Sequence, residues 1–492
     1  MKMNQISKYL LTAGLALSLT ACDKDYLETQ PTDAVSEQSV FTSIPNAWAA
    51  LNGIHRQLYS QQGDMDQAGQ MGLMIHFDAL GDDVVMTSTG NGWYNGTYRW
   101  TMHRSDVAST VRFTYLFYYK LIANANMIIA NIDKITGDEK EKNDIKAQAL
   151  TYRAWSHFML VQLYGQRYEA GAANTQLGVP IMVVNTTEGQ SRATVAEVYT
   201  QVNKDLDEAI ALFGTVTATH AKSHFNISSA KGMQARVALT MGEWTKAATL
   251  AKEARAKYTL MSQAQYLQGF NNITNPEWIW GSSPLSVQTT YFHSFFAFMS
   301  GNFNSTNIRT NPKAINSKLY ATIAATDVRK QLWDPTGKNT AFPVPPSGER
   351  KEYMNRKFLA ESSSSSLGDV VYMRAAEMYL IEAEALAHAG KDADAAKVLY
   401  DLVVSRDPSY TQSTATGTAL LNEILTQRRV ELWGEGFRFF DLKRLNQSLD
   451  RTGTNHQQAL ALVMTIPAGD SQWQYLFPRA ELNVNPNIVQ NP

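Results

Sequence analysis

The residues able to do chemistry are few and poorly spaced for it. His220 and His224 stand four apart, the spacing at which two imidazoles can share a metal. The surrounding stretch is rich in Thr, Ser and Ala and offers no acidic third ligand, so no metal site is expected there. Asp82 and Asp83 are adjacent, and in an extended chain neighbouring side chains point to opposite faces, a poor geometry for a paired acid and base. HExxH, GxSxG, a P-loop and a complete GxGxxG are all missing. Cys22 is the single cysteine, which excludes an intramolecular disulfide and every CxxC-type site. The expectation is a protein with no catalytic residue, no metal and no cofactor, and not an enzyme.

Binding chemistry is easier to read. Sugar rings present apolar C–H faces that stack on Trp and Tyr, while amide and guanidinium groups reach the hydroxyls. Trp93, Tyr94, Asn95 and Trp100 have that make-up, in the stretch TSTGNGWYNGTYRWTMH at 87–103. Its glycines and asparagines favour turns, so these side chains are expected on a loop. Tyr291, Phe292 and Phe295, in the aromatic-rich stretch 291–303, are candidates for a second wall. Trp278 and Trp280 share one strand face and are expected in the core. Lys plus Arg number 44 against 45 for Asp plus Glu, so no basic excess draws a polyphosphate, and nucleic acid is not an expected partner.

The loops need a frame, and the frame reads as helical. From Asn46, Ala47, Leu51, Ile54 and Leu58 step by four, three and four. Helical periodicity resumes at about 107, fills 139–164 without Gly or Pro, and returns from about Thr194 to Phe213. Gly242 is followed by Ala247 and Gly390 by Ala395; a glycine turn and then small residues lets two helices approach closely, as in tetratricopeptide units. The spacing predicts an α-solenoid-like scaffold of several such hairpins over 37–62, 107–260 and 372–445. Loop-rich regions at 63–106 and 262–371 would carry the binding residues, and NPEWIWGSS at 275–283 reads as a short strand. The fold class is thus mainly α: a tetratricopeptide-like hairpin scaffold with long irregular regions and a few short strands.

Residues 1–21 read as a signal peptide, with Lys2 and Lys8 before a short apolar run. That run is too short for a bilayer core, which needs about 20 helical residues. It ends in Leu19-Thr20-Ala21-Cys22, which fits a bacterial lipobox, so Cys22 is expected to take a diacylglyceryl group and residues 22–36 to act as a tether. Multiple acyl chains make such attachment lasting.

The densest patterned stretch is Ala419 to Leu445. Its charges fall three and four apart, so Arg428 with Glu431, Glu435 with Arg438 and Arg438 with Asp441 are expected to pair along one side. Gly434 and Gly436 are expected to interrupt the helix and let the chain turn into a shorter one. QRRVELWGEGFRFFDLKRL at 427–445, YMRAAEMYLIEAEALAHAG at 372–390, FPRAELNVNPNIVQNP at 477–492 and NAWAALNGIHRQLY at 46–59 together resemble the SusD/RagB-like outer-membrane lipoproteins of Bacteroidetes. The resemblance covers nearly the whole chain and implies one SusD-like domain over 22–492 with four tetratricopeptide-like units. It also implies a surface-exposed, lipid-anchored protein on the outer membrane that captures oligo- or polysaccharide for a SusC-like TonB-dependent transporter, without chemistry. Oligopeptide cargo is the alternative within the family. A tetratricopeptide scaffold serving only protein interaction would bind no soluble ligand, and a glycan hydrolase would need two carboxylates facing one cleft.

Overall fold

A computed structural model describes residues 41–288 and 292–492. The expected signal peptide, Cys22 with its lipidation, the tether and Tyr291 lie outside the described residues.

Helix α1, Ile44–Gln57, starts where the Ser43 side chain accepts the Asn46 N–H, and it buries Ala47, Leu51 and Ile54, the predicted stripe. Helix α2, Gly69–Ala79, corrects the reading of 63–106 as wholly irregular. Every one of its residues is buried, so GQMGLMIHFDA has no polar face and no 3.6-residue alternation to reveal it. Then follow α3 (Ser109–Asn131), α4 (Glu139–Tyr164), α5 (Val195–Phe213), α6 (Ile227–Met241), α7 (Trp244–Arg255), α8 (Ala375–His388), α9 (Asp392–Arg406), α10 (Gly417–Glu431) and the short α11 (Arg438–Arg444). Each helix from α3 to α9 packs against the next, including α7 on α8 across the long irregular insertion. This continuous stacking is the solenoid that the glycine-and-alanine spacing predicts. Gly242 and Gly390 take φ of 75° and 71° at two of its turns, and Ala247 and Ala395 are fully buried behind them. A Thr194–Glu197 capping box opens α5. Among the described residues no helix is long and apolar enough to cross a membrane.

Strands are short. β1 (Val84–Val85), β3 (Ala314–Ile315), β4 (Trp333–Asp334) and β5 (Met354–Asn355) form an antiparallel sheet in the order β1-β3-β5-β4. β2 (Trp278–Ser282) pairs antiparallel with β6 (Val370–Arg374), with irregular register around Trp280. Trp278 and Trp280 are fully buried, and Trp280 stacks on Phe225 and meets Trp155 and Tyr372. Strand and helices thus share one core, and a smaller apolar cluster lies among α8, α9 and α10.

The three pairs expected along 427–445 do not form, and most of its charges find partners elsewhere in the sequence, with Arg444 and Asp441 an i,i+3 pair of its own. Arg428 pairs with Asp441, Arg429 with Asp83, Arg438 with Asp82, and Arg444 with Glu384 and Asp441. Glu431 and Glu435 enter a buried network: Arg374 reaches Glu277 at 2.7 Å, Glu431 at 2.6 Å and Glu435 at 2.7 Å, while Arg406 and Arg329 also hold Glu431 and Lys357 holds Glu435. With Asp327 beside Arg329, four cations meet four carboxylates. Burial opposes ionisation of Glu431, but Arg406, Arg374 and Arg329 outweigh it and hold its carboxyl well below the usual range. Glu435 and Arg438 are not related by helical spacing, because α10 ends at Glu431, the chain turns through Gly434 and Gly436 at φ 79° and 85°, and α11 starts at Arg438. Arg428 with Glu431 and Arg438 with Asp441 do share a helix, but each is taken by other partners from the surrounding fold. A Cβ on Gly436 would lie 3.0 Å from the Met74 Cα, so α2 also requires that glycine.

Candidate ligand-binding site

Arg429 and Arg438, beside the buried network in sequence, clamp down the loop that begins at Gly81. Asp82 and Asp83 both receive arginines from the 427–445 segment and so lie on the same side of the chain, contrary to the extended reading. Burial works against ionisation of Asp82, but Arg438 and then Arg429 overcome it and hold the carboxyl at about 2. Burial outweighs the same arginines at Asp83 and pushes its carboxyl up, and the two arginine-paired carboxylates together anchor this loop.

From there the chain runs along β1 and enters 87–103. Asn311 Oδ1 accepts the Thr87 N–H at 3.0 Å, and the Ser88 hydroxyl donates to the Thr310 carbonyl at 2.6 Å. Asn95 Nδ2 donates to the Thr89 carbonyl at 2.8 Å, closing the loop on itself. Asn95 is therefore a brace. Gly90 and Gly92 have φ of 49° and 90°, and Tyr94 itself sits at φ 64°, ψ −5°. Left-handed backbone at a bulky aromatic costs on the order of 1–3 kcal/mol and persists only where surroundings impose it. Here it separates neighbours: Trp93 is half-buried at the surface, and Tyr94 turns inward at 3% exposure.

The sequence candidates thus divide. Tyr94 packs on His76, centroids 4.5 Å apart, and edge-on to Phe298 at 5.0 Å. Trp100 is 2% exposed, donates its indole N–H to the Leu80 carbonyl at 3.0 Å and meets Trp473 edge-on, which makes it a core residue. Phe295 is 1% exposed and packs on Phe296 and Phe358; Phe292 is 41% exposed. The two aromatic segments do meet, but through Tyr94 and Phe298 from within.

Trp93 lines a pocket of about 270 Å³ with Asp64, Asp66, Asn91, Tyr94 and Thr97. Asp64 and Asp66 are the residues the sequence reading passed over; they lie in the same glycine-punctuated region, and two carboxylates just upstream of an aromatic loop were the available signal. Asp64 Oδ2 accepts from the Ser109 hydroxyl at 2.8 Å. Burial, then the Asp64 charge, pushes Asp66 up to about 6. His76 Nε2 lies 3.6 Å from Asp66 Oδ2, yet burial takes His76 down to about 3, so at neutral pH this approach involves a neutral imidazole rather than an ion pair. Chemically the pocket offers one aromatic face, two acceptor-rich carboxylates and an amide at Asn91. That set suits a hydroxyl-bearing, uncharged ligand.

The histidine pair lies elsewhere. His220 Nε2 meets Asp144 Oδ2 of α4 at 2.5 Å, and His224 Nδ1 lies 3.0 Å from His55 Nε2 and 3.2 Å from Gln148 Oε1. The acidic neighbour missing from the local sequence is supplied by α4. Even so, among the described residues no group of three or more His, Cys, Asp or Glu side chains is arranged to hold a metal.

Comparison with known proteins accords with this architecture. A SusD-like family model, described as starch-binding associating with outer membrane, matches residues 25–239, and the SusD family model matches 247–492. SusD-like protein P2 of Formosa agariphila is 24% identical over 542 residues, covering 99% of either chain. The crystal structure of a SusD-like carbohydrate binding protein from Bacteroides vulgatus superposes with a TM-score of 0.80 at 26% identity, over 91% of this chain and 98% of its own. A laminarin binding SusD-like protein shares the fold at a TM-score of 0.70 and 22% identity, over 92% and 100% of the two chains. With half its length matched by that model and a solenoid of the same form, the chain belongs to the SusD family.

Proposed function

We propose that the protein is a lipid-anchored, cell-surface binding protein of the outer membrane that captures an oligo- or polysaccharide at Trp93 and delivers it to a partner TonB-dependent transporter, without catalysing a reaction. The observation that carries the reading is Trp93, the one aromatic of the 87–103 candidates left half-open, at the mouth of a pocket whose other groups are acceptors for hydroxyls. Family membership supports the outer-membrane setting, and the carbohydrate-binding relative from Bacteroides vulgatus supports the cargo class. Asp82 and Asp83 are paired with arginines, and Asp64 and Asp66 serve in the pocket as acceptors for sugar hydroxyls.

Isothermal titration of the full chain in detergent against laminarin, starch, a xylan and a peptide digest, beside Trp93→Ala, tests this reading. Binding to one polysaccharide that the variant loses is the expected result. Binding to peptides alone would replace the cargo, and binding to neither would leave a protein-interaction scaffold.

A further inference from the structure

A second pocket is larger than the one at Trp93. A cavity of about 450 Å³ lies between α1, the segment before α6 and the residues following β2. On α1, Trp48, Asn52 and Arg56 recur every fourth residue and so lie on one face. Asn52 and Arg56 line the cavity, and Tyr59, Ser223, His224 and Ser283 line it from α1's end and from the other two segments. Trp48 stands beside it, its ring 5.0 Å from His220 and 5.9 Å from His224.

Its charge is the reverse of the first pocket. No Asp or Glu lines it, and Arg56 is exposed with no salt bridge among the described residues. Behind the wall the polar groups are held in place. His55 is buried and reaches Tyr152 Oη at 2.5 Å on one side and His224 on the other; Tyr59 donates to Gln288 Oε1 at 3.1 Å. The wall is therefore a polar surface held in place from behind, with the guanidinium of Arg56 at its edge as the one charged group lining it, and a guanidinium free of an acidic partner suits an oxyanion.

We propose that this cavity is a second carbohydrate subsite, which takes a sugar bearing an oxyanion, a carboxylate or a sulfate ester, with Arg56 on the anion and Asn52 on ring hydroxyls. It is independent of occupancy at Trp93, whose two carboxylates would repel the same group.

The test is titration of the full chain in detergent with an oligogalacturonate, its methyl ester and a sulfated galactan oligosaccharide, in the parent, Arg56→Gln and Trp93→Ala. Arg56 is exposed, so Arg56→Gln should fold as the parent does, and an unchanged Tm checks this. The expected result is binding of at least one anionic oligosaccharide that Arg56→Gln weakens about tenfold, the worth of one charge-assisted hydrogen bond, and that Trp93→Ala leaves within about twofold. Whether the galacturonate or the galactan binds identifies the anion. Absence of binding by both, equal binding of the methyl ester, or indifference to Arg56→Gln overturns the proposal. Loss of neutral-glycan binding in Trp93→Ala with the anionic response intact separates this subsite from the first.

Discussion

Tyr94 sets its ring edge-on to Phe298, with centroids 5.0 Å apart and planes at 76°. This contact joins the two aromatic segments of the chain and fixes which neighbour faces outward. Because Tyr94 is drawn inward in a left-handed conformation, Trp93 is the residue presented.

Removing the Tyr94 hydroxyl should leave the protein as stable or more stable. Its oxygen is buried without a hydrogen-bond partner, so Tyr94→Phe removes an unmet polar group, a gain of up to about 1 kcal/mol. Tyr94→Ala deletes the ring and should cost about 3–5 kcal/mol. Urea unfolding of the two variants checks both signs; a destabilised Tyr94→Phe would mean that the hydroxyl has a partner.

Trp93→Ala should separate binding from stability. The side chain is half-open, so the unfolding free energy should change by no more than about 1 kcal/mol while glycan affinity falls at least tenfold. Thermal unfolding read beside titration makes the comparison, and a large fall in Tm would recast Trp93 as a core residue.

Asp66 gives a pH-dependent prediction. Burial raises its folded value to about 6, above the unfolded carboxyl near 4. Between these values the folded state holds a proton that the unfolded state has lost, so this group's contribution falls as pH rises from about 4 to 6 and stays as a constant penalty above. Asp66→Asn should therefore stabilise the protein by about 2–3 kcal/mol above pH 6, with the gain vanishing below pH 4. Tm measured for parent and variant from pH 4 to 8 tests this; a gap that widens toward acid would reverse the sign.

The buried network should tolerate no single deletion. Arg374→Met leaves Glu277, Glu431 and Glu435 facing one another with one cation fewer, and should cost about 3–5 kcal/mol or abolish soluble folding. Arg429→Gln removes a partly exposed partner of Asp83 and should cost less. Denaturant midpoints of the two rank the network against its rim.

A methyl group at Gly436 should be costly too. At φ 85° an alanine is strained, and its Cβ would press on the Met74 backbone, so Gly436→Ala should lower Tm by several degrees through the junction of α2 with the 427–445 segment.

The sequence by itself determined the frame. Helices α1, α4 and α5, the β2 strand and the glycine-turned hairpins all follow from local periodicity and turn chemistry, because each of these elements has its cause within a few residues of itself. It also determined that an aromatic, amide-bearing loop would lie in 87–103. Tertiary structure alone decided the rest. Helix α2 carries no periodicity because it is buried on every face. Arg428, Glu431, Glu435 and Arg438 look like local pairs, but Glu431, Glu435 and Arg438 meet partners brought in by the fold from far along the chain, and Arg428 reaches across the glycine turn to Asp441. Trp93 and Tyr94 are neighbours of like chemistry, and only the φ imposed on Tyr94 makes one a surface and the other a core residue. The cavity at Arg56 depends on three segments that meet only in the fold, since α1 is joined there by residues about 170 and 230 positions further along.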